Sequence, residues 1–155
     1  MWDGVRFDIV HPHNRSAWDG NNLSCVLRAS VAKHQVLFTG DIEAPVEILL
    51  AYRTMLAPAT VVVVPHHGSG TSSSTALVQA VRPNLAIVSA GFANRWGMPK
   101  DAVVRRWQAG GAQVVNTAYA GAISQKLCAG EEAGRVRQTR DDARRFWHDL
   151  AEAVP

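Results

Sequence analysis

Four consecutive valines, Val61-Val62-Val63-Val64, run straight into Pro65-His66-His67-Gly68-Ser69-Gly70-Thr71-Ser72-Ser73-Ser74. β-Branched side chains suit a pleated, packed surface, so the valine run predicts a buried strand. Pro65 ends it. Imidazoles at the C-terminal end of a strand stand at the rim of a sheet, where layered α/β folds place their chemistry. Neutral imidazole binds metals and carries protons near pH 7, so the segment points to a metal or acid–base site. Adjacent residues on an extended chain face opposite ways. Both imidazoles can therefore serve one ion only if the Pro-His-His-Gly turn breaks that alternation. In the competing reading, one histidine is packed and hydrogen-bonded and the other is exposed.

The rest of the chain sets this strand in an alternating pattern. Residues 5–10, 24–31 and 35–39 read as strands, the last two forming a hairpin that turns at Lys33-His34 and ends in Thr39-Gly40-Asp41. Apolar residues at 42, 46, 49, 50 and 56 share one helical face. After the valine strand, Ser73 or Ser74 can cap a short helix over 75–82. Residues 84–89 form another strand. Pro99 suits the first turn of a helix that buries Val103, Val104 and Trp107 and stops at Gly110-Gly111. Residues 113–116 and 122–127 read as short final strands. A hairpin followed by alternating helices and strands predicts a layered α/β domain over 1–129. A polar linker over 130–138 and a closing helix through Ala143, Phe146, Trp147 and Leu150 make up 130–155, with Thr139 and Asp142 spaced as a capping box.

Charge and cysteines narrow the function classes. Net charge is +3, with 11 Lys/Arg against 7 acids in residues 1–129. That permits contact with a polyanion without the basic stripe of a dedicated nucleic-acid binder. Cys25 and Cys128 form no CxxC pair, which excludes a cysteine zinc site and a disulfide-dense scaffold. No apolar run approaches the ~20 residues of a membrane helix. The N-terminus lacks the apolar core of a signal peptide, so the chain as written is expected to be soluble.

Other residues also carry candidate chemistry. Asp41 is either the cap of the next helix or a carboxylate metal ligand aimed by a strand end. His11-Pro12-His13 mimics an HxH ligand pair but has no acidic or histidine partner nearby, and reads as a loop. His34 in the hairpin turn and His148 on the tail helix read as solvated. Asn94 and Arg95, after the strand over 84–89, would share the rim with His66, with Arg95 suited to phosphate. Trp96 beside them reads as either a packed anchor or part of a substrate contact.

Five segments occur in order: Asn21-Asn22-Leu23-Ser24, Phe38-Thr39-Gly40-Asp41, Val64-Pro65-His66-His67-Gly68-Ser69, Thr71-Ser72-Ser73-Ser74 and Asn94-Arg95-Trp96-Gly97-Met98-Pro99. Together they resemble the C-terminal metallo-β-lactamase-type domain of the ComEC competence family of DNA-uptake proteins. The opening Trp2-Asp3-Gly4-Val5-Arg6-Phe7 and the closing Arg144-Arg145-Phe146-Trp147-His148 are similar to Gram-negative members. The resemblance implies an αββα sandwich with divalent metal, manganese or zinc, at one edge. It implies metal-dependent phosphodiester hydrolysis of DNA during natural competence, degrading the strand that is not transported. By the same likeness Asp41 matches a bridging metal carboxylate, and His66 and His67 match a catalytic histidine pair, with His67 also a metal ligand. Ser69, Thr71, Ser72, Asn94 and Arg95 would lie beside substrate phosphates. DNA and the parent's membrane channel domains are the implied partners, and the implied location is periplasmic beside an inner-membrane parent.

Two departures shape the expectation. The fold's HxHxDH motif is absent from the sequence, and Met98 stands where the family usually has a histidine. A thioether is a poor ligand for hard divalent ions. Catalytic zinc needs about three protein ligands. The chain is thus expected to hold the second half of the sandwich, to bind metal weakly, and to be impaired as a nuclease. A non-catalytic structural or DNA-contacting domain is the alternative. A half sandwich would also leave one sheet face bare, which invites dimerisation.

Overall fold

The computed structural model describes residues 1–13 and 18–143. Six strands form one sheet in simple sequence order: β1 (Arg6–His11), β2 (Val26–Val31), β3 (His34–Phe38), β4 (Val61–Val63), β5 (Leu85–Val88) and β6 (Gln113–Asn116). The first two pairings are antiparallel, and β3 through β6 run parallel. Helices α1 (Ala44–Tyr52), α2 (Thr75–Val81) and α3 (Asp101–Ala109) make the parallel crossovers. A short helix α4 (Thr117–Ala120), a two-stranded ribbon of β7 (Ile123–Ser124) with β8 (Arg137–Gln138), and α5 (Thr139–Asp142) follow. The architecture is mixed α/β, as the alternation predicts.

The two faces of the sheet differ. Val26, Leu37, Val62 and Val88 pack one face against Val46, Leu50, Leu77 and Trp107 from the three main helices. The other face is covered over β4–β6 and the start of β3, where Val36, Val61, Leu85 and Val115 meet Ala120, Ile123, Leu127 and Val136, and His34 is buried against Glu131. Over β1 and β2 and the Phe38 end of β3 it is open: Phe7 is 46 %, Ile9 54 % and Phe38 42 % exposed. The register sets Ile9 opposite Leu27 and Leu27 opposite Phe38, so these side chains share one face. Among the described residues, no second large sheet packs there.

Several local expectations are corrected. His34 is not a solvated turn residue: it opens β3 and is buried. Its Nε2 donates to Glu131 O at 2.9 Å, and Thr60 Oγ1 lies 3.4 Å from its Nδ1. His11 belongs to β1 rather than to the loop, with its ring edge against Trp18 and Nε2 donating to Asn22 O at 2.8 Å. Thr139 does not cap α5; the cap is Gln138, and Thr139 Oγ1 donates instead to Ala122 O at 2.8 Å. Val104 is only half-buried, whereas Val103 and Trp107 are fully enclosed. The segment read as a linker is fastened to the body by His34, by a Lys33–Glu132 ion pair and by β8. The closing helix with Phe146, Trp147, His148 and Leu150 lies outside the described residues.

Candidate functional site

The parallel strands bring their C-terminal ends to one edge, and the sequence candidates gather there. Asp41 follows β3, His66 and His67 follow β4, and Asn94 and Arg95 follow β5. Edges of this kind are where open α/β sheets bind ligands. The valine strand stops because Pro65 opens a tight turn over Pro65–Gly68. Within it both histidines take left-handed backbone angles, φ 48° and 55°. The strand alternation is thereby broken.

The turn does not, however, aim both rings at one point. His67 Nδ1 donates to Ser89 O at 2.7 Å. That bond leaves Nε2 of the neutral ring with a free lone pair. Nε2 faces Asp41 Oδ1 at 3.7 Å. The gap is too long for a hydrogen bond and matches two donors that share one ion or water, each about 2.0–2.2 Å from a zinc-like centre. His66 is held differently. Asn21 Nδ2 donates to its Nε2 at 3.4 Å, which puts the proton on Nδ1. That atom is buried 3.3 Å from Glu43 Oε1, with no well-aligned hydrogen bond. Asp41 itself does not cap α1; Glu43 occupies that position.

Among the described residues, no group of three or more His, Cys, Asp or Glu side chains converges on a metal position. Asp41 and His67 fit two corners of a site and do not make up a complete one.

The hydroxyl loop is tied into the fold. Ser72 is buried and donates to Pro65 O at 2.8 Å and Ser69 O at 3.1 Å. Ser69 and Thr71 hydroxyls meet at 3.0 Å, and Thr71 Oγ1 donates to Glu43 Oε1 at 2.7 Å. Glu47, one helical turn after Glu43 and fully buried, accepts the N–H groups of Ser73 at 2.6 Å and Ser74 at 2.5 Å. Burial pushes the Glu47 carboxyl up from its ordinary value, while the Ser74 and Ser73 donors and the Arg106 charge pull it back down. Asn94 is likewise committed: its amide donates to Gly91 O at 3.0 Å and Met98 O at 2.6 Å. Arg95 lies over the Trp96 ring, 4.4 Å from its centroid, on the exposed side of the edge.

The chain is 36 % identical over 156 residues to uncharacterized protein YcaI of Escherichia coli K12, all of this chain against 20 % of that protein. It is 39 % identical over 140 residues to competence protein ComA of Neisseria gonorrhoeae, covering 88 % of this chain and 20 % of that one. It is 42 % identical over 122 residues to recombination protein 2 of Haemophilus influenzae, covering 79 % and 15 %. The chain thus spans a fifth or less of the length of the curated relatives it matches. No family model matches it.

Glu43 and Glu47 are the site neighbours that sequence reading passed over. Their i, i+4 spacing directly after Gly40-Asp41 puts both on one helical face, and that spacing was the available signal. Asn21 and Asn22 are two further neighbours of the site. Asn21 steadies His66, and Asn22 Oδ1 accepts the Glu43 N–H at 2.9 Å.

Proposed function

We propose that this chain is part of a DNA-uptake protein of the competence type, and that its Asp41–His67 edge is one wall of a phosphodiester-hydrolysing site. The observation that carries this reading is the facing of Asp41 Oδ1 and His67 Nε2 at 3.7 Å on the C-terminal edge of a parallel sheet. It is supported by matches to relatives whose names include a competence protein and a recombination protein. Two donors are fewer than the three that catalytic zinc requires, and manganese usually takes more. Hydrolysis therefore needs further ligands from beyond the described residues. No helix among the described residues is long and apolar enough to cross a membrane. On this reading the domain meets DNA on the periplasmic side, next to membrane-embedded parts of the longer protein.

The test is calorimetric titration with manganese or zinc, together with a nuclease assay on single-stranded DNA. Weak binding, lost in Asp41→Ala and in His67→Ala, with no robust turnover, is expected. Binding that ignores both substitutions would overturn the metal wall. Robust turnover by this chain alone, abolished in Asp41→Ala, would overturn its incompleteness.

A second reading, a DNA-contacting domain without metal, is favoured by the exposed Arg95 guanidinium lying over the exposed Trp96 ring on the same edge. Purified protein free of stoichiometric metal, yet binding DNA in a salt-sensitive way, would select it.

A further inference from the structure

The loop after β5 exposes an unusual amount of aromatic surface. Phe92 is 55 % exposed and Trp96 59 %, and Tyr119 at the end of α4 is 42 % exposed. Phe92 and Tyr119 meet edge-to-face with ring centroids 5.9 Å apart. The Arg95 guanidinium lies on one side of the Trp96 ring. Exposed apolar clusters of this kind mark contact sites more often than chance, because such rings gain more than most side chains from burial.

The loop is exposed but braced. Besides its two donated bonds, Asn94 accepts the Met98 N–H at 3.0 Å. Lys100 Nζ donates to Trp96 O at 2.7 Å. The rings are therefore held out from the body on a fixed backbone. The loop is also joined to the histidine turn: Lys100 N donates to Gly68 O at 2.9 Å, and His67 reaches Ser89 O at its base. Between the loop, the edge of β6 and α4 runs a groove of about 690 Å³, with Asn94, Gln108, Asn116 and Tyr119 in its walls together with the carboxylates of Asp101 and Asp141. Arg95 and Lys100 have no carboxylate within ion-pair distance among the described residues.

Aromatic faces interleaved with cations are the chemistry that takes up unpaired nucleotides: bases stack on the rings and phosphates meet the charges. A duplex hides its base faces and cannot use such a surface. We propose that Phe92, Trp96 and Tyr119 form a stacking platform for a single strand of nucleic acid, with Arg95 and Lys100 taking its phosphates. The inference rests on the DNA reading above and adds the form of the substrate and the residues that select it. The Lys100 N–Gly68 O bond joins the loop that carries Phe92 and Trp96 to the histidine turn, so the platform stands on the edge that also bears Asp41 and His67.

The test is fluorescence anisotropy of a labelled oligo-dT strand and of a duplex of equal length, with the full chain and no added metal. The single strand should bind more tightly. Phe92→Ala and Trp96→Ala should each weaken it by about 5- to 150-fold, while Trp96→Phe retains most of the affinity. Arg95→Gln should lower the slope of log affinity against log salt by about one unit. Tyr52→Ala, an exposed aromatic at the far end of α1, should change nothing. Equal binding of strand and duplex with silent aromatic variants overturns the platform alone. Variants that alter self-association in sedimentation while leaving DNA binding intact assign the surface to protein and also overturn it. Binding of neither form overturns the DNA reading together with the platform.

Discussion

Glu47 Oε1 accepts the backbone N–H of Ser73 at 2.6 Å, and this joins the first helix to the loop behind the histidine turn. Glu47→Ala removes an acceptor from two buried N–H groups and leaves a cavity. It should cost about 2–4 kcal/mol at neutral pH, read from urea unfolding. Burial raises the Glu47 carboxyl above its ordinary 4.5, so the folded state holds this proton more tightly than the unfolded chain. Its contribution is therefore fully present below the unfolded value and is lost as pH rises through the folded one. The wild-type stability minus that of Glu47→Gln should fall with rising pH across that window. A flat difference would show that the Ser73 and Ser74 donors cancel the desolvation.

Gly68 is required by two independent facts. Its φ is +80°, and a Cβ there would sit 2.5 Å from Pro99 Cβ and 3.0 Å from Pro99 Cα. Gly68→Ala should lower stability by about 2–3 kcal/mol and push the histidine turn off the Pro99 loop. Chemical unfolding measures the first effect. The His67 imidazole resonances report the second.

His34→Ala should free the segment after Gly130 while leaving the main sheet intact. The imidazole is the side-chain anchor between β3 and Glu131, through its 2.9 Å bond to Glu131 O. Limited trypsin digestion should then cut at Arg135 and Arg137 much faster, with the amides of β4 and β5 still protected from exchange. Unchanged cleavage would mean that β8 and the Lys33–Glu132 ion pair hold the segment without His34.

The bare face formed by Phe7, Ile9 and Phe38 should bind a hydrophobic dye and draw copies of the chain together as concentration rises. Phe38→Thr keeps a strand-forming residue and removes the exposed ring. Together with Ile9→Lys it should suppress both signals, by dye fluorescence and by light scattering. Association that persists in the double variant would place the contact elsewhere.

What the sequence made legible follows from how locally each feature is determined. The valine run, the Ser74 cap on Leu77 and the Val103–Trp107 stripe are set within a few residues, and each appears where the pattern puts it. The facing of Asp41 and His67 was legible only as two strand ends, because it depends on the parallel pairing of β3 with β4. His11 and His34 were misread because burial of a polar ring depends on distant carbonyls, here Asn22 and Glu131. The spacing of Glu43 and Glu47 marked a shared face, but the partners of Glu47 were not legible for the same reason: nothing in α1 announces that Ser73 and Ser74 lie above it. Thr139 has the right spacing for a cap, and loses its hydroxyl to Ala122 O across the ribbon.

His66 and His67 sit on backbone that glycine fits better, at φ 48° and 55°. Each such residue costs roughly 1–2 kcal/mol relative to one at ease there. This makes the turn a natural site for chemical complementation. His67→Gly deletes the imidazole and relieves its backbone in the same step, so the variant should stand as firmly as the parent. Imidazole added from solution could then refill the vacated space. Any activity restored in that way would belong to the ring itself, separated from the scaffold that holds it.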